Sequence, residues 1–152
     1  MVRFLRGFSV VLASGGLLTA SAWNGASNRD ASIRYYDNAG TYQGRQDHSN
    51  REERFYSKTG SYLGQVEKHT DTFKLYDNHG RYLGQEKAKG SETRFYDRVG
   101  VYLGRAAERG GMTKFYDKTG KLLGSAKERG GTTTFYDRTG RRTGYSTHRS
   151  AK

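Results

Sequence analysis

From residue 31 onward the chain repeats every 20 residues without an insertion, in six blocks that begin at Ala31, Arg51, Asp71, Ser91, Gly111 and Gly131. A fixed period of this length gives each block one small supersecondary unit. Such a unit cannot bury its own apolar face and must stack on its neighbours. The sixth place of every block is tyrosine: Tyr36, Tyr56, Tyr76, Tyr96, Tyr116 and Tyr136. The fifth place is Tyr35, Phe55, Leu75, Phe95, Phe115 or Phe135, and the seventh is Asp37, Asp77, Asp97, Asp117 or Asp137, with Ser57 the exception. Glycine fills the tenth place (Gly40, Gly60, Gly80, Gly100, Gly120, Gly140) and the fourteenth (Gly44, Gly64, Gly84, Gly104, Gly124, Gly144), so these two places take twelve of the 21 glycines.

Each block reads as a β-hairpin. An aromatic and threonine-rich run enters Asp-x-x-Gly, and a second short run leaves it. Aspartate suits the first position of a type I turn because its side chain accepts from amides ahead of it. The glycine supplies the positive φ that lets the strands return. This turn predicts that Tyr76 faces Tyr82 and Leu75 faces Leu83, and in the next unit that Tyr96 faces Tyr102 and Phe95 faces Leu103. Alternation along a strand then gives one Phe/Leu face and one tyrosine face. The fourteenth-place glycines are expected on the tyrosine face, where a ring could lie flat across them. Arg34, Arg54, Lys74, Arg94 and Lys114 share that face. The connections, such as Glu108-Arg109-Gly110-Gly111, also read as tight turns.

The expected fold is therefore all-β: six hairpin repeats, about twelve antiparallel strands, forming either a shallow closed barrel or an open antiparallel spiral. Closure would remove the sheet edges. Altered end units, with Gln43 in the first and Arg142 and Thr143 in the last, favour an open array with caps. The lack of any insertion favours a ring.

Composition alone points elsewhere. Hydrophobic residues are 33% of the chain and mean hydropathy is −0.96, which would suit a disordered basic segment. The period overrides that reading, and 12 tyrosines and 7 phenylalanines supply the apolar surface. The absence of cysteine excludes a disulfide, a thiolate nucleophile and a thiolate metal site. Residues 1–22 read as a signal peptide: Arg3 and Arg6, a short apolar stretch from Phe8, and a small-x-small end at Ala20-Ser21-Ala22. That stretch is short for a membrane-spanning helix, which needs about 20 apolar residues, although an uncleaved anchor is the alternative. Residues 23–30 read as a polar leader and 31–150 as the repeat domain. The expected location is secreted or periplasmic.

The run Gly-Gly-Thr-Thr-Thr-Phe-Tyr-Asp-Arg-Thr-Gly-Arg (130–141) resembles the YD repeats of Rhs-type proteins, and the resemblance extends over all six units. Rhs shells use many more repeats and lack the second glycine. The short form with an N-terminal signal is more similar to the small bacterial β-flower proteins, shallow barrels ringed by hairpins. That resemblance implies a closed barrel, and a lipid or membrane link has been suggested for the group. Choline- and glucan-binding repeats are a weaker resemblance. They carry a tryptophan in each repeat, whereas Trp23 is the only tryptophan here and precedes the repeats.

No catalytic constellation, metal-ligand spacing or cofactor motif is present in the sequence, so no enzyme, metal or cofactor is expected. One carboxylate per turn is too few for a calcium cage, which leaves Asp37, Gly40, Asp77, Gly80, Asp97, Gly100, Asp117, Gly120, Asp137 and Gly140 a turn-forming role. The histidines (His48, His69, His79, His148) are expected in solvent, and the remaining acids are scattered singly.

Charge carries the functional expectation. The net charge is +12, and residues 93–152 hold 14 basic against 5 acidic side chains. The candidate ligand-binding residues are Tyr36, Tyr42, Tyr56, Tyr62, Tyr76, Tyr82, Tyr96, Tyr102, Tyr116 and Tyr136, with Arg94, Lys114, Arg138, Arg141 and Arg142. Their expected partner is an anionic envelope polymer or a membrane surface. The tyrosines either pack a second core layer or form a stacking ladder for sugars or cations. A structural module that pairs with itself or a protein through sheet edges is the first alternative. Single-stranded nucleic acid, which aromatic and basic interleaving also suits, is disfavoured by the expected export.

Overall fold

The structure is a computed structural model that describes residues 32–49 and 51–149. The expected signal peptide (1–22) and leader (23–30) lie outside the described residues. Twelve strands follow in chain order: β1 Ser32–Asp37, β2 Tyr42–His48, β3 Glu52–Ser57, β4 Tyr62–His69, β5 Thr72–Asp77, β6 Tyr82–Lys89, β7 Glu92–Asp97, β8 Tyr102–Arg109, β9 Met112–Asp117, β10 Leu122–Arg129, β11 Thr132–Asp137 and β12 Arg142–Arg149. Every strand pairs antiparallel with its sequence neighbours, and β1 pairs with β12, so the sheet is a closed barrel. The ring is thus the outcome and the spiral is excluded. The altered end units meet each other: Tyr36 stands opposite Tyr145, and their rings stack 5.0 Å apart at 14°.

The predicted hairpin turns form. In each, the amide of the tenth-place glycine donates to the seventh-place carbonyl, as from Gly120 to Asp117 at 3.0 Å. Gly120 has φ of 84°, a left-handed conformation that costs glycine nothing. At the opposite ends, Gly110 and Gly111 (φ 60° and 73°) join Arg109 to Met112, the pattern of a two-residue type I′ hairpin.

Tyr76 pairs with Tyr82 and Tyr96 with Tyr102, as predicted. The glycine expectation is corrected. Leu75 pairs with Gly84 and Phe95 with Gly104, with a register shift just before each tyrosine. Leu83 and Leu103 are therefore bulge residues. They still lie on the core side, packed against the buried clusters. The fourteenth-place glycines are buried on this Phe/Leu face, not on the tyrosine face. Backbone proximity explains them: a Cβ at Gly104 would lie 2.3 Å from the carbonyl oxygen of Tyr116 on the next unit, and the same holds at Gly84 with Tyr96.

The Phe/Leu face lines the interior. One cluster joins Ile33, Tyr35, Phe95, Ala106, Phe115, Ala126 and Phe135, and a second joins Val66, Phe73 and Leu75. Alanine at 106 and 126 opposes Phe115 and Phe135, so a small residue stands beside each of these rings on the inner face. The tyrosine face looks outward. Charged residues such as Arg34, Arg54 and Arg94 stand exposed on it, unlike the apolar outer band of a membrane barrel.

Candidate binding surfaces

A closed meander puts all six hairpin turns, five Asp-x-x-Gly and one Ser-x-x-Gly, at one end of the barrel. Each of the five aspartates accepts hydrogen bonds within its own turn. In the fifth unit Asp117 Oδ1 accepts from the Thr119 amide at 2.8 Å, the Thr119 hydroxyl at 2.6 Å and the Lys121 amide at 3.0 Å. Asp37, Asp77, Asp97 and Asp137 accept from the corresponding amides. Ser57 reproduces the arrangement with Oγ, accepting from the Thr59 and Ser61 amides at 3.3 and 3.1 Å. These bonds favour the ionised acid. Hydrogen bonds from the turn hold the carboxyls of Asp37, Asp77, Asp117 and Asp137 below their ordinary value; the leading donor is the Thr41 backbone for Asp37, the Arg81 backbone for Asp77, and the Thr119 or Thr139 side chain for Asp117 or Asp137.

The cations at the same end are less occupied. Lys58, Arg81, Arg98, Lys118, Lys121, Arg138, Arg141 and Arg142 are all exposed on or beside the tips. Arg81 pairs with Asp77 at 2.7 Å. Arg142 lies 5.0 Å from the centroid of the Tyr145 ring. Among the described residues, the carboxylates of this crown are the five turn aspartates. Arg138, Arg141 and Arg142, singled out from sequence, are brought together here. Arg94 and Lys114 are not: they sit lower on the outer wall, and Arg94 is tied to Glu92 at 2.7 Å.

The ten candidate tyrosines form a half-buried belt on the outer wall beside this crown. They meet in pairs edge to face: Tyr36–Tyr42 at 6.0 Å and 65°, and Tyr96–Tyr102 at 5.9 Å and 63°. Tyr116 and Tyr136 lack that partner because Leu122 and Arg142 replace it. Cations from the preceding unit cover several rings, with Arg45 4.3 Å from the Tyr56 centroid and Arg105 4.6 Å from that of Tyr116. The belt is a packed layer of tilted rings roofed by cations, with one parallel stack where units one and six meet.

Sequence reading missed Tyr145, Arg45 and Arg105. They share the fifteenth place, which pairs across to the tyrosine of the adjoining unit. It also missed polar groups inside the barrel. Gln46, Glu53, Glu86, Thr93 and Ser146 are buried, and the Tyr35 hydroxyl donates to Gln46 Oε1. Their signal was available: the third and sixteenth places face inward, and a polar residue there breaks an apolar column. His48 departs from the solvent expectation. It is half-buried on β2, with Nδ1 3.5 Å from Glu53 Oε1. No protein-family model matches this chain, and no curated protein matches it significantly.

Proposed function

We propose that this chain is an exported, non-catalytic binding module that attaches to the cell envelope, taking an anionic glycan or lipid headgroup at its hairpin-tip end. One observation carries the reading: the crown gathers eight exposed cations against five turn aspartates. A surface with such an excess of positive charge attracts polyanions. The tyrosine belt supplies a rigid wall next to that surface. The resemblance to β-flower proteins accords with an envelope location.

The alternatives are less well supported. Edge-mediated assembly needs a free strand, and each described strand is paired on both sides. Nucleic-acid stacking needs flat open rings, whereas these rings lie edge to face.

The test is retention on envelope polysaccharides and on vesicles containing anionic lipid, at low and high salt. Retention should collapse at high salt, as counterion release requires. It should also weaken when Lys118, Lys121, Arg138 and Arg141 are replaced together by alanine. Salt-resistant retention on one glycan would move the site to the tyrosines. No retention on any ligand would sink the reading.

A further inference from the structure

Glu86 is wholly buried, at 0% exposure, and neither of its carboxylate oxygens has a hydrogen-bond partner. Its register neighbours are apolar rings: Phe73 on β5 and Phe95 on β7. The buried side chains of those two strands, Phe73, Leu75, Thr93 and Phe95, carry no charge. Three strands round the ring stands Glu53 on β3, itself 4% exposed, with Oε2 also unpartnered. Glu53 Oε1 lies 3.5 Å from His48 Nδ1, whereas neither Glu86 oxygen has such a partner. Of the basic side chains, Lys68 on β4 pairs in register with Phe73 and His48 on β2 with Glu53. Tyr35 on β1 is also buried, and burial first, then Glu53, raise its phenol well above the ordinary tyrosine value.

An isolated carboxylate in such surroundings costs far more than a neutral acid. A second carboxylate facing the same interior adds to that cost. We propose that Glu86 is held as the neutral acid in the closed barrel, and that loss of this one proton is a built-in release for the β5–β6–β7 wall. Burial first, and then the charge of Glu53, push the Glu86 carboxyl well above the ordinary glutamate range. The sign follows from proton counting. The closed barrel binds one more proton than the open chain once pH exceeds the ordinary range. Stability is therefore complete at acid pH and falls as pH rises toward the elevated value. Over that interval the ratio of folded to unfolded protein drops about tenfold for each pH unit. This inference stands apart from the anion-binding reading, since Glu86 is inside the wall and the crown is outside it.

The experiment uses the full chain and two readouts. Difference infrared spectroscopy at neutral pH should show the carbonyl band of a protonated carboxylic acid, absent in Glu86→Gln. Urea unfolding from about pH 5 to about pH 9 should lose stability with rising pH in the parent, and far less in Glu86→Gln, which keeps the shape of the neutral acid. The histidines titrate in the same interval, so the difference between parent and variant is the decisive quantity. Should Glu86→Gln fail to fold, Glu53→Gln serves: removing the facing charge should reduce the total loss. Absence of the acid band at neutral pH overturns the proposal, as does an unchanged pH slope in Glu86→Gln or an unchanged total loss in Glu53→Gln.

Discussion

At the scale of the residue, the two repeated glycines do different jobs that one mutation each can separate. Gly100 sits at φ 86° in open space, with no atom within 4 Å of a Cβ. Its replacement by alanine meets only the left-handed conformation, at about 1–2 kcal/mol. Gly104 would place a Cβ 2.3 Å from the Tyr116 carbonyl oxygen. Backbone of the neighbouring unit must then move, which adds overpacking of about 1–3 kcal/mol. Denaturant unfolding should rank Gly104→Ala below Gly100→Ala. Equal losses would show that the inner wall yields at little cost. The turn acids give a second expectation. Because hydrogen bonds hold Asp37, Asp77, Asp117 and Asp137 below their ordinary value, their stabilising effect is present above the ordinary carboxylate range. It is lost as pH falls through the depressed values. Asp117→Asn should lessen acid destabilisation as seen in melts across the acid range, with a sign opposite to that of Glu86. Ser57→Asp should raise the melting temperature by giving the second turn the ionised acceptor of the others.

At the scale of the element, the hairpin was legible because its chemistry is local. Asp and Gly three residues apart dictate a turn, and the turn dictates that Tyr76 meets Tyr82. Placing the second glycine failed because the bulge at Leu83 makes two residues oppose one, and everything beyond it changes face. Strict alternation carried past that point put Gly84 among the tyrosines. Glu86 was overlooked for the same reason: once the face is misassigned, it reads as one more surface charge. Glu53 precedes the bulge and shares the face of Phe55 under plain alternation, so its inward position was legible and passed over. The tyrosine pair is itself testable as an element. The fifth hairpin has Leu122 opposite Tyr116 where four others have tyrosine. Leu122→Tyr should restore an edge-to-face pair, and aromatic pairs of this kind contribute about 0.5–1.5 kcal/mol. An unchanged unfolding midpoint would mean that the Arg105 contact already satisfies that ring.

At the scale of the whole molecule, closure could not be read from any single unit. Ring and spiral share every local contact and differ only in whether β1 meets β12. Units one and six look like caps because they are altered, yet the alterations serve each other: Tyr36 stacks on Tyr145, and Ser146 pairs with Tyr35. Closure also changes the physics of association. Twelve strands in a ring leave no described strand with an unpaired row of amides and carbonyls, although each unit alone would be marginal. Ending the chain after Arg129 would remove β11 and β12 and expose β1 and β10 as edges. Those edges are templates for further pairing. The shortened protein should therefore unfold or self-associate in concentration-dependent light scattering, while the full chain stays in one species. A folded, monodisperse five-unit protein would show that five hairpins can close by themselves, and that the Tyr36–Tyr145 seam does not specify the ring.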